Sequence, residues 1–376
     1  MSKNKKRKRK DPYEMRKRKK RRIALTRIFL VLALVSGTVF GLVQLNKSIE
    51  VPLVVNADNY YCITSEQETS EPLDETEEYI PADAQVADEQ VQKPVVKQPK
   101  LRREYPIETV LQSEYAIVYD VQADEVLFAK NADQKCYPAS TTKILTSAVI
   151  LDNVDEDFLF TAGDELDFVN PESSLAYIEK GNVLDLTTTL DAIMLPSGND
   201  ASYMAAANVG RKIAGDDAIP PEKAVETFVD EMNRTAKRIG AENTHFSDPD
   251  GFHDDNHYTT VLDMLKITLY ARQKPLIVAS AAKPSEYALF ESGEEISWIN
   301  SNKLIHEDSD CYYMYANGFK TGMTDQSGYC VVATAKRFDH DVICIVFGAP
   351  ASDIRWNETI SLLDSAFAEI RSREEV

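Results

Sequence analysis

The sequence predicts an α+β fold in which strand segments from the two ends of one domain meet in a single sheet. Short β-branched stretches occur near residues 116–129 and again at 329–347, and helical periodicity dominates the chain between them. Strictly alternating strand and helix units are absent, which argues against a parallel doubly wound sheet. A chain of 376 residues accommodates this domain together with N-terminal extensions.

The strand signals lie at both ends of the domain. Residues 116–120 and 126–129 are rich in apolar and β-branched side chains and flank the polar segment Gln122–Asp124, which predicts a β-hairpin. Residues 329–335 and 342–347 repeat this pattern around a second polar turn. We therefore expect the first and last of these segments to pair in one sheet.

Apolar side chains at helical spacing fill the region between the strands. A helix is predicted to begin at Ser140, because Ile144, Leu145, Ala148 and Val149 fall on one face. Further helices are predicted at about 185–195, 200–213, 221–239, 259–272 and 354–370.

The net charge of −19 is divided unevenly along the chain. Residues 1–27 carry fifteen Lys or Arg and two acids, whereas the other 349 residues hold 27 Lys or Arg against 59 acids. Binding to phosphate requires a basic face, so the acidic body argues against nucleic acid as a partner.

An apolar segment follows the basic one directly. Residues 23–45 contain the unbroken run from Ile28 to Leu45, with one cation, Arg27, before it. The segment reaches the roughly 20 residues that a membrane-spanning helix needs. Because Lys and Arg are retained on the cytoplasmic side, residues 1–22 are predicted to be a basic cytoplasmic tail and the domain to lie outside the cell membrane. A cleaved signal peptide is the alternative, but Val55-Asn56-Ala57 is a weak cleavage site far beyond the apolar run.

Residues 46–105 are predicted to be an acidic, disordered linker. Residues 65–78 are dense in Glu, Thr and Ser, and residues 81–99 lack apolar periodicity. Such a composition does not bury enough apolar surface to offset the entropy of ordering. The domain is therefore assigned to residues 106–376.

The five cysteines do not predict a disulfide framework. Their number is odd and no pair has the spacing of metal ligands. Cys330 and Cys344 lie in strand-like runs and are predicted to be buried as small apolar side chains. The other three are Cys62, Cys136 and Cys311.

The first motif with catalytic potential is Ser140-Thr141-Thr142-Lys143. Residues at i and i+3 share one face of a helix, so the amine of Lys143 is expected beside the hydroxyl of Ser140. A serine becomes nucleophilic when a base takes its proton, and burial can keep a lysine neutral for that role. The same spacing recurs at Ser2–Lys5 and Ser280–Lys283, so this motif alone is weak.

The second motif, Ser197-Gly198-Asn199, falls in a turn between two predicted helices. In its functional interpretation, Ser197 transfers a proton to the leaving amine. Asn199 then bridges Lys143 and the substrate backbone. The structural alternative is a helix N-cap.

The third motif, Lys320-Thr321-Gly322, begins the late strand block. On an edge strand, a ligand peptide can add as a further strand. Lys320 and Thr321 would then bind a carboxylate, and Gly322 would allow the ligand backbone to approach closely. The structural alternative is a surface strand with an ordinary glycine.

Taken in this order, the three motifs resemble the low-molecular-mass penicillin-binding proteins of the D-alanyl-D-alanine carboxypeptidase family. The resemblance covers roughly residues 108–372 and includes landmarks between the motifs. The similar segments are Pro138 to Lys143, Ser197 to Ala201, Asp230 to Asn233, Asn243 to Phe246, Asp250 to Phe252, His257 to Thr260 and Asp263-Met264.

The resemblance implies a β-lactamase/transpeptidase-like fold, with an antiparallel sheet formed by N- and C-terminal strands and a helical subdomain inserted between them. It implies that Ser140 forms an acyl-enzyme, that Lys143 is its base and that Ser197 and Asn199 relay protons. Lys320 and Thr321 would bind the terminal carboxylate of D-Ala-D-Ala stem peptides, and the backbone N–H groups of Ser140 and Met323 would form the oxyanion hole.

The resemblance also implies inhibition by β-lactams. Acyl transfer of this kind requires no cofactor and no metal.

The chain departs from many relatives in its anchoring. Many members of the family carry an amphipathic C-terminal helix or an extra β-domain, and we expect neither here, since the last predicted element is the helix at 354–370. The predicted segment 23–45 would therefore hold the protein at the membrane, and the linker would supply reach.

Other functions place different demands on the sequence. A β-lactamase is disfavoured because no Glu-x-x-Leu-Asn sequence lies between Asn199 and Lys320; the nearest similar segment, Glu172 to Ala176, precedes the second motif. A membrane penicillin sensor would need a cytoplasmic output domain, and a catalytically silent wall-binding protein would not need every catalytic residue. A D,D-endopeptidase or transpeptidase would use the same acyl-enzyme and stays open.

A zinc site was also considered. His253 and His257 are spaced i, i+4 among acidic residues, which on a helix would suggest a metal-binding face. The preceding Asp-Pro-Asp-Gly sequence instead predicts a loop, and no Glu follows the first histidine as a metalloprotease requires.

Overall fold

The computed structural model describes residues 96–375. The predicted basic tail (1–22), the predicted anchor (23–45) and residues 46–95 of the predicted linker lie outside this part. Within it, no helix combines the length and the apolar character that crossing a bilayer requires.

The helices and strands follow the predicted order. In the described part, the strands are β1 (Tyr115–Asp120), β2 (Glu125–Lys130), β3 (Phe160–Thr161), β4 (Val183–Leu184), β5 (Ser285–Leu289), β6 (Glu295–Ile299), β7 (Ala316–Thr324), β8 (Gly328–Arg337) and β9 (His340–Ala349). The α-helices are α1 (Lys143–Asn153), α2 (Leu186–Met194), α3 (Asn199–Ala214), α4 (Pro221–Arg238), α5 (Val261–Ala271), α6 (Pro275–Ala282) and α7 (Ser352–Glu374).

The main sheet joins the two ends of the domain. Its strand order is β2-β1-β9-β8-β7, and all neighbouring strands are antiparallel. Ile117 of β1 lies opposite Ile345 of β9, so the first and last strand segments pair directly and the prediction is confirmed. Strand β7, which carries the third motif, lies at an edge of this sheet, also as predicted.

The sheet separates two apolar cores because successive strand residues point to opposite faces. Ile117 and Tyr119 belong to the core shared with helices α1 to α6, whereas Ala116 and Val118 belong to the core under α7. The predicted stripe on α7 is confirmed: Leu363, Phe367 and Ile370 are buried in the second core, and Ile360 packs at its edge.

Local hydrogen bonds fix several boundaries of these elements. Asp185 caps α2 by accepting from Thr188 N at 2.6 Å, and Thr260 caps α5 by accepting from Asp263 N at 3.0 Å. Gly215 ends α3 in the left-handed conformation, with φ of +66°. The β8–β9 turn places both Phe338 and Asp339 at positive φ, which matches the twist of a tight hairpin.

Three local features differ from the sequence prediction. Residues Ala139–Thr142 form a 3₁₀ turn and α1 begins at Lys143, so Ser140 precedes the α-helix. Helix α6 and the β5–β6 hairpin were not predicted. The hairpin was missed because only alternate residues of one face, such as Trp298, are buried, while exposed apolar residues on the other face obscure the period of two.

Residues 96–105, at the end of the predicted linker, pack against the domain without regular secondary structure. Val96 is buried in the first core, and Gln98 Nε2 donates to Ile239 O at 3.0 Å. A single valine and a side-chain amide leave no periodic signal, so the sequence pattern did not indicate this docking.

Helices α3 and α4 approach each other closely at Gly210. A Cβ atom at this position would lie 1.9 Å from the carbonyl oxygen of Ala224, which is rigid backbone. The close approach brings the buried face of α4, with Phe228 and Met232, against the first core.

We expect Gly210→Ala to destabilise the protein, although alanine favours helix more than glycine does. The clash with Ala224 should cost about 1–3 kcal/mol of unfolding free energy, typical of overpacking. Urea unfolding of the full chain, followed by circular dichroism, measures the change. Lys212→Ala, an exposed position on the same helix, serves as the control and should change stability by less than about 0.5 kcal/mol. A Gly210→Ala variant as stable as the parent would contradict the close approach.

Candidate active site

Ser140 lies in a tightly packed turn between two glycines. Ala139, just before it, has a φ of +48°, and Thr141 Oγ1 donates to Pro138 O at 2.7 Å. A Cβ atom on Gly251 would lie 1.9 Å from Ala139 O, and one on Gly322 would lie 3.0 Å from Ser140 N. The strained backbone around Ser140 is thus packed between two segments. A side chain in place of Gly251 or Gly322 would push these segments away from it.

Lys143 is fully buried, and its amine lies within hydrogen-bond distance of three oxygen atoms. Nζ lies 2.9 Å from Ser140 Oγ, 2.7 Å from Asn199 Oδ1 and 2.7 Å from the backbone oxygen of Asp250. Asn199 Oδ1 and Asp250 O are acceptors only, so they receive two N–H groups of a neutral amine. The remaining lone pair then points at the Ser140 hydroxyl, in the geometry of a general base.

Burial supplies the neutral amine that this geometry needs. Loss of hydration lowers the pKa of Lys143 to about 8, although the carboxyl groups of Asp250, Asp248 and Asp200 act in the opposite direction. About a tenth of Lys143 is therefore unprotonated at pH 7, against a far smaller fraction for an ordinary lysine.

The loop from Asp248 to Gly251 supports Lys143 from below. Asp248 accepts from Asp250 N and Gly251 N, at 3.0 and 2.6 Å, and its other oxygen lies 3.1 Å from His257 Nδ1. Although burial opposes ionisation, His257 lowers the pKa of Asp248. Burial and this neighbouring carboxylate raise the pKa of Asp250.

His257 connects that loop to the nucleophile turn. Its Nε2 lies 2.8 Å from Thr142 Oγ1, two residues after Ser140. His257 is buried and His253 faces a different environment, with its ring edge-on to Tyr137. The two histidines thus lie in a loop and not on one helix face, which agrees with the predicted loop.

The second motif occupies the connection between α2 and α3. Ser197 has a φ of +64°, and its buried hydroxyl has no hydrogen-bond partner in the described part of the chain. Asn199 begins α3 and carries its side chain to Lys143. Ser197 is not a helix N-cap, since the cap residue of α3 is Gly198 and it makes no side-chain bond.

Asp200 fixes the neighbouring segment. Its carboxylate accepts from Ala176 N at 2.8 Å, Ala201 N at 2.9 Å and Ile178 N at 2.9 Å. Burial raises the pKa of Asp200 despite these bonds. The segment from residue 172 to 178 is therefore held against the start of α3, where it forms one wall of the site.

The third motif brings an edge strand to the nucleophile turn. Lys320 is fully buried, with Nζ 3.3 Å from Thr321 O. Burial, together with Lys143 and Arg355, lowers the pKa of Lys320 well below its ordinary range. Thr321 Oγ1 lies 2.6 Å from Ser301 Oγ, Gly322 contacts the Ser140 backbone, and Met323 is 56% exposed.

Arg355 is a site residue that the sequence analysis missed. It lies on the buried face of α7 and donates through Nη1 to Gly322 O at 3.3 Å and to Cys330 O at 3.1 Å. Burial lowers its pKa to about 10, so it stays charged at neutral pH. One signal in the sequence could have identified Arg355. It is a charged residue directly beside Trp356, on the extension of the apolar stripe of α7.

An open cleft of about 370 Å³ lies over Ser140. Three segments wall it: residues 172–174, residues 251–253 and residues 323–326, with Asn199 at its base. Only Ser140, Asn199 and Met323 of the predicted site residues line the cleft itself; Lys143 and Lys320 lie buried beneath. Residues 172–174 and 324–326 were not identified as site residues from the sequence, because loops carry no periodic signal.

Comparisons with known proteins agree with this architecture. The crystal structure of the Streptomyces K15 DD-transpeptidase superposes with a TM-score of 0.64 at 26% identity, over 70% of this chain and 99% of that one. The predicted β-lactamase/transpeptidase-like fold is therefore confirmed.

Curated relatives carry matching names. D-alanyl-D-alanine carboxypeptidase DacF of Bacillus subtilis is 28% identical over 258 residues, 68% of this chain and 62% of the relative. D-alanyl-D-alanine carboxypeptidase DacC of Escherichia coli is 31% identical over 264 residues, 67% of this chain and 60% of the relative. The chain thus spans about three fifths of the length of these two relatives.

A protein-family model described as D-alanyl-D-alanine carboxypeptidase matches residues 102–351. This range contains all three motifs and every wall of the cleft. By this match, the chain belongs to the D-alanyl-D-alanine carboxypeptidase family of peptidases.

Proposed function

We propose that the protein is a serine-type D,D-carboxypeptidase that removes the terminal D-alanine from peptidoglycan stem peptides through an acyl-enzyme at Ser140. The observation that carries the proposal is the buried amine of Lys143, 2.9 Å from Ser140 Oγ and fixed by Asn199 and Asp250. A nucleophile, a base and a positioned cleft are the parts that acyl transfer requires.

Acylation begins when Lys143 takes the hydroxyl proton of Ser140 and Oγ attacks the carbonyl carbon of the penultimate D-alanine. Negative charge then develops on the carbonyl oxygen. The backbone N–H groups of Ser140 and Met323, on the nucleophile turn and the edge strand, are the proposed donors for it.

Departure of D-alanine requires a proton on its nitrogen. Ser197 is the proposed relay, because its buried hydroxyl has no partner in the described residues and its motif neighbour Asn199 binds Lys143. Collapse of the tetrahedral intermediate breaks the C–N bond and leaves an ester on Ser140.

Recognition of the substrate carboxylate is assigned to Lys320 and Thr321. Burial, and repulsion from the neighbouring Lys143 and Arg355, disfavour charge on Lys320. An incoming carboxylate compensates this repulsion, so charge on Lys320 and binding of the anion stabilise each other. A peptide added alongside β7 would present its C-terminus there.

The fate of the ester depends on the acceptor. Water gives carboxypeptidation, whereas an amine of a second stem peptide gives transpeptidation, the activity named for the Streptomyces K15 neighbour. Cleavage of existing crosslinks, a D,D-endopeptidase reaction, would use the same intermediate. Product analysis with and without an added amino-acceptor distinguishes these reactions.

We expect Ser140→Ala to abolish both D-alanine release from a diacetyl-L-Lys-D-Ala-D-Ala tripeptide and covalent labelling by a fluorescent penicillin. Activity should fall at least about 10³-fold, as loss of a nucleophile removes the covalent route. Chromatography and gel fluorescence of the full chain measure the two effects.

The chain offers a matched control in its second serine–lysine pair. Ser280 Oγ donates to Asp191 Oδ1 at 2.6 Å and Lys283 binds the same carboxylate, which makes this pair structural. Ser280→Ala should lose some stability and keep labelling. Labelling of a folded Ser140→Ala variant would contradict the assignment of the nucleophile, and labelling without turnover would favour a penicillin sensor.

The rate of acylation should rise with pH until Lys143 is unprotonated, at about 8. The neutral amine is the base, so the rate should fall roughly tenfold per pH unit well below that value. The Asp250 carboxylate raises the pKa of Lys143. Asp250→Asn should therefore move the acidic limb of the pH–rate profile to lower pH, while keeping the backbone oxygen that binds Lys143.

Stopped-flow labelling with penicillin across a pH series measures the limb. Asp339→Asn, in the exposed β8–β9 turn, is the control and should leave it unmoved. An acidic limb that is absent in the parent protein would contradict a lysine base.

We propose that the domain is held outside the bacterial cell membrane by a single spanning segment at residues 23–45, with residues 1–22 in the cytoplasm. The support is the apolar run behind a strongly basic tail. The full chain should sediment with membranes, and deletion of residues 1–45 should release it. On protoplasts, protease should remove a C-terminal tag and spare an N-terminal one. A mature N-terminus near Ala57 would instead indicate a cleaved signal peptide.

A further inference from the structure

Two carboxylates line the active-site cleft from two different walls. Glu172 belongs to the segment that Asp200 holds against α3, and Asp325 belongs to the β7–β8 turn, directly after the third motif. Both line the same cleft as Ser140. The two acidic groups therefore flank the path of any peptide that reaches the nucleophile.

Neither carboxylate is neutralised by the protein. In residues 96–375, neither side chain makes an ion pair or a hydrogen bond, and no Lys or Arg is among the residues that line the cleft. The two lysines of the site, Lys143 and Lys320, are fully buried beneath it. The mouth of the cleft is thus acidic and its floor is basic.

The base of the cleft is built to bind a peptide backbone. Asn199 is only 4% exposed and lines the cleft, and its Oδ1 is occupied by Lys143 Nζ. Its Nδ2 group has no partner in the described residues, so two N–H groups remain for a carbonyl of a ligand. This unpartnered amide marks where the backbone of the ligand passes.

The proposed function fixes the direction of the ligand along β7. The C-terminal carboxylate is assigned to Lys320 and Thr321, and the scissile carbonyl to the N–H of Met323, two residues further along β7. A ligand whose C-terminus lies at the earlier position runs antiparallel to the strand. The residue before the penultimate D-alanine therefore lies further along β7, past Met323 and toward the turn that carries Asp325.

We infer that Glu172 and Asp325 form a subsite for a cationic side chain. The enzyme then prefers stem pentapeptides whose third residue, the one before the penultimate D-alanine, carries a free amine. The inference rests on the proposed function. A lysine or another diamino acid meets this requirement. The same residue with its amine acylated, as in a crosslinked or branched stem peptide, loses the charge that the two carboxylates attract.

The test compares two tripeptides that differ by one acetyl group: α-N-acetyl-L-Lys-D-Ala-D-Ala, with a free ε-amine, and its ε-acetylated form. D-Alanine release by the full chain gives kcat/KM for each. An exposed ion pair contributes about two- to fivefold, so two carboxylates should favour the free amine by about five- to twentyfold. The preference should lie mainly in KM and should weaken as salt rises.

Glu172→Gln and Asp325→Asn remove charge with little change of shape. Each should reduce the preference about two- to fivefold, and the double variant should remove most of it. Asp339→Asn removes an exposed carboxylate in the β8–β9 turn, at the opposite end of β8 from Asp325, and should leave the preference intact.

The outcomes separate this inference from the proposed function. Release of D-alanine from both tripeptides with equal kcat/KM overturns the subsite and leaves the carboxypeptidase standing. A preference that persists in the double variant also overturns it. A fall of kcat for both substrates in Glu172→Gln would place Glu172 in the reaction instead. No release from either substrate overturns the proposed function and the inference together.

Discussion

The burial of one lysine amine is the constraint on which the rest of the site depends. Lys143 is fully enclosed, and its three partners come from three distant parts of the chain: the nucleophile turn, the start of α3 and the loop at Asp250. An enclosed amine without acceptors would cost several times the net free energy of an ordinary hydrogen bond. Each of the three segments is therefore fixed where the amine requires it.

Close backbone packing makes this enclosure possible. Gly251 and Gly322 let the Asp250 loop and the edge strand approach Ala139 and Ser140 without intervening side chains. Water is thereby kept from Lys143, and loss of hydration is the largest cause of its lowered pKa. Packing at two glycines thus sets the protonation state of a lysine that is distant from both of them in the sequence.

Charge is layered around the nucleophile. Lys143, Lys320 and Arg355 lie beneath the cleft, and uncompensated carboxylates lie at its mouth. Arg355 also donates to the carbonyl oxygens of Gly322 and Cys330, so one buried cation ties α7 to the two strands nearest the site. This arrangement suits a ligand that is anionic at its C-terminus and cationic further back.

The helices with a clear apolar stripe, the pairing of the terminal strands and the three motifs could be predicted from the sequence, because a period of 3.6 or 2 and fixed spacings are local properties of the chain. The sequence placed Ser140 beside Lys143 for that reason, although the turn proved to be 3₁₀.

Tertiary structure alone decided what lies around that pair. The backbone oxygen of Asp250, the unpartnered hydroxyl of Ser197, the cation of Arg355 and the walls carrying Glu172 and Asp325 are contributed by loops or by residues more than 30 positions away. Their positions follow from packing between segments, and no spacing along the chain encodes such contacts.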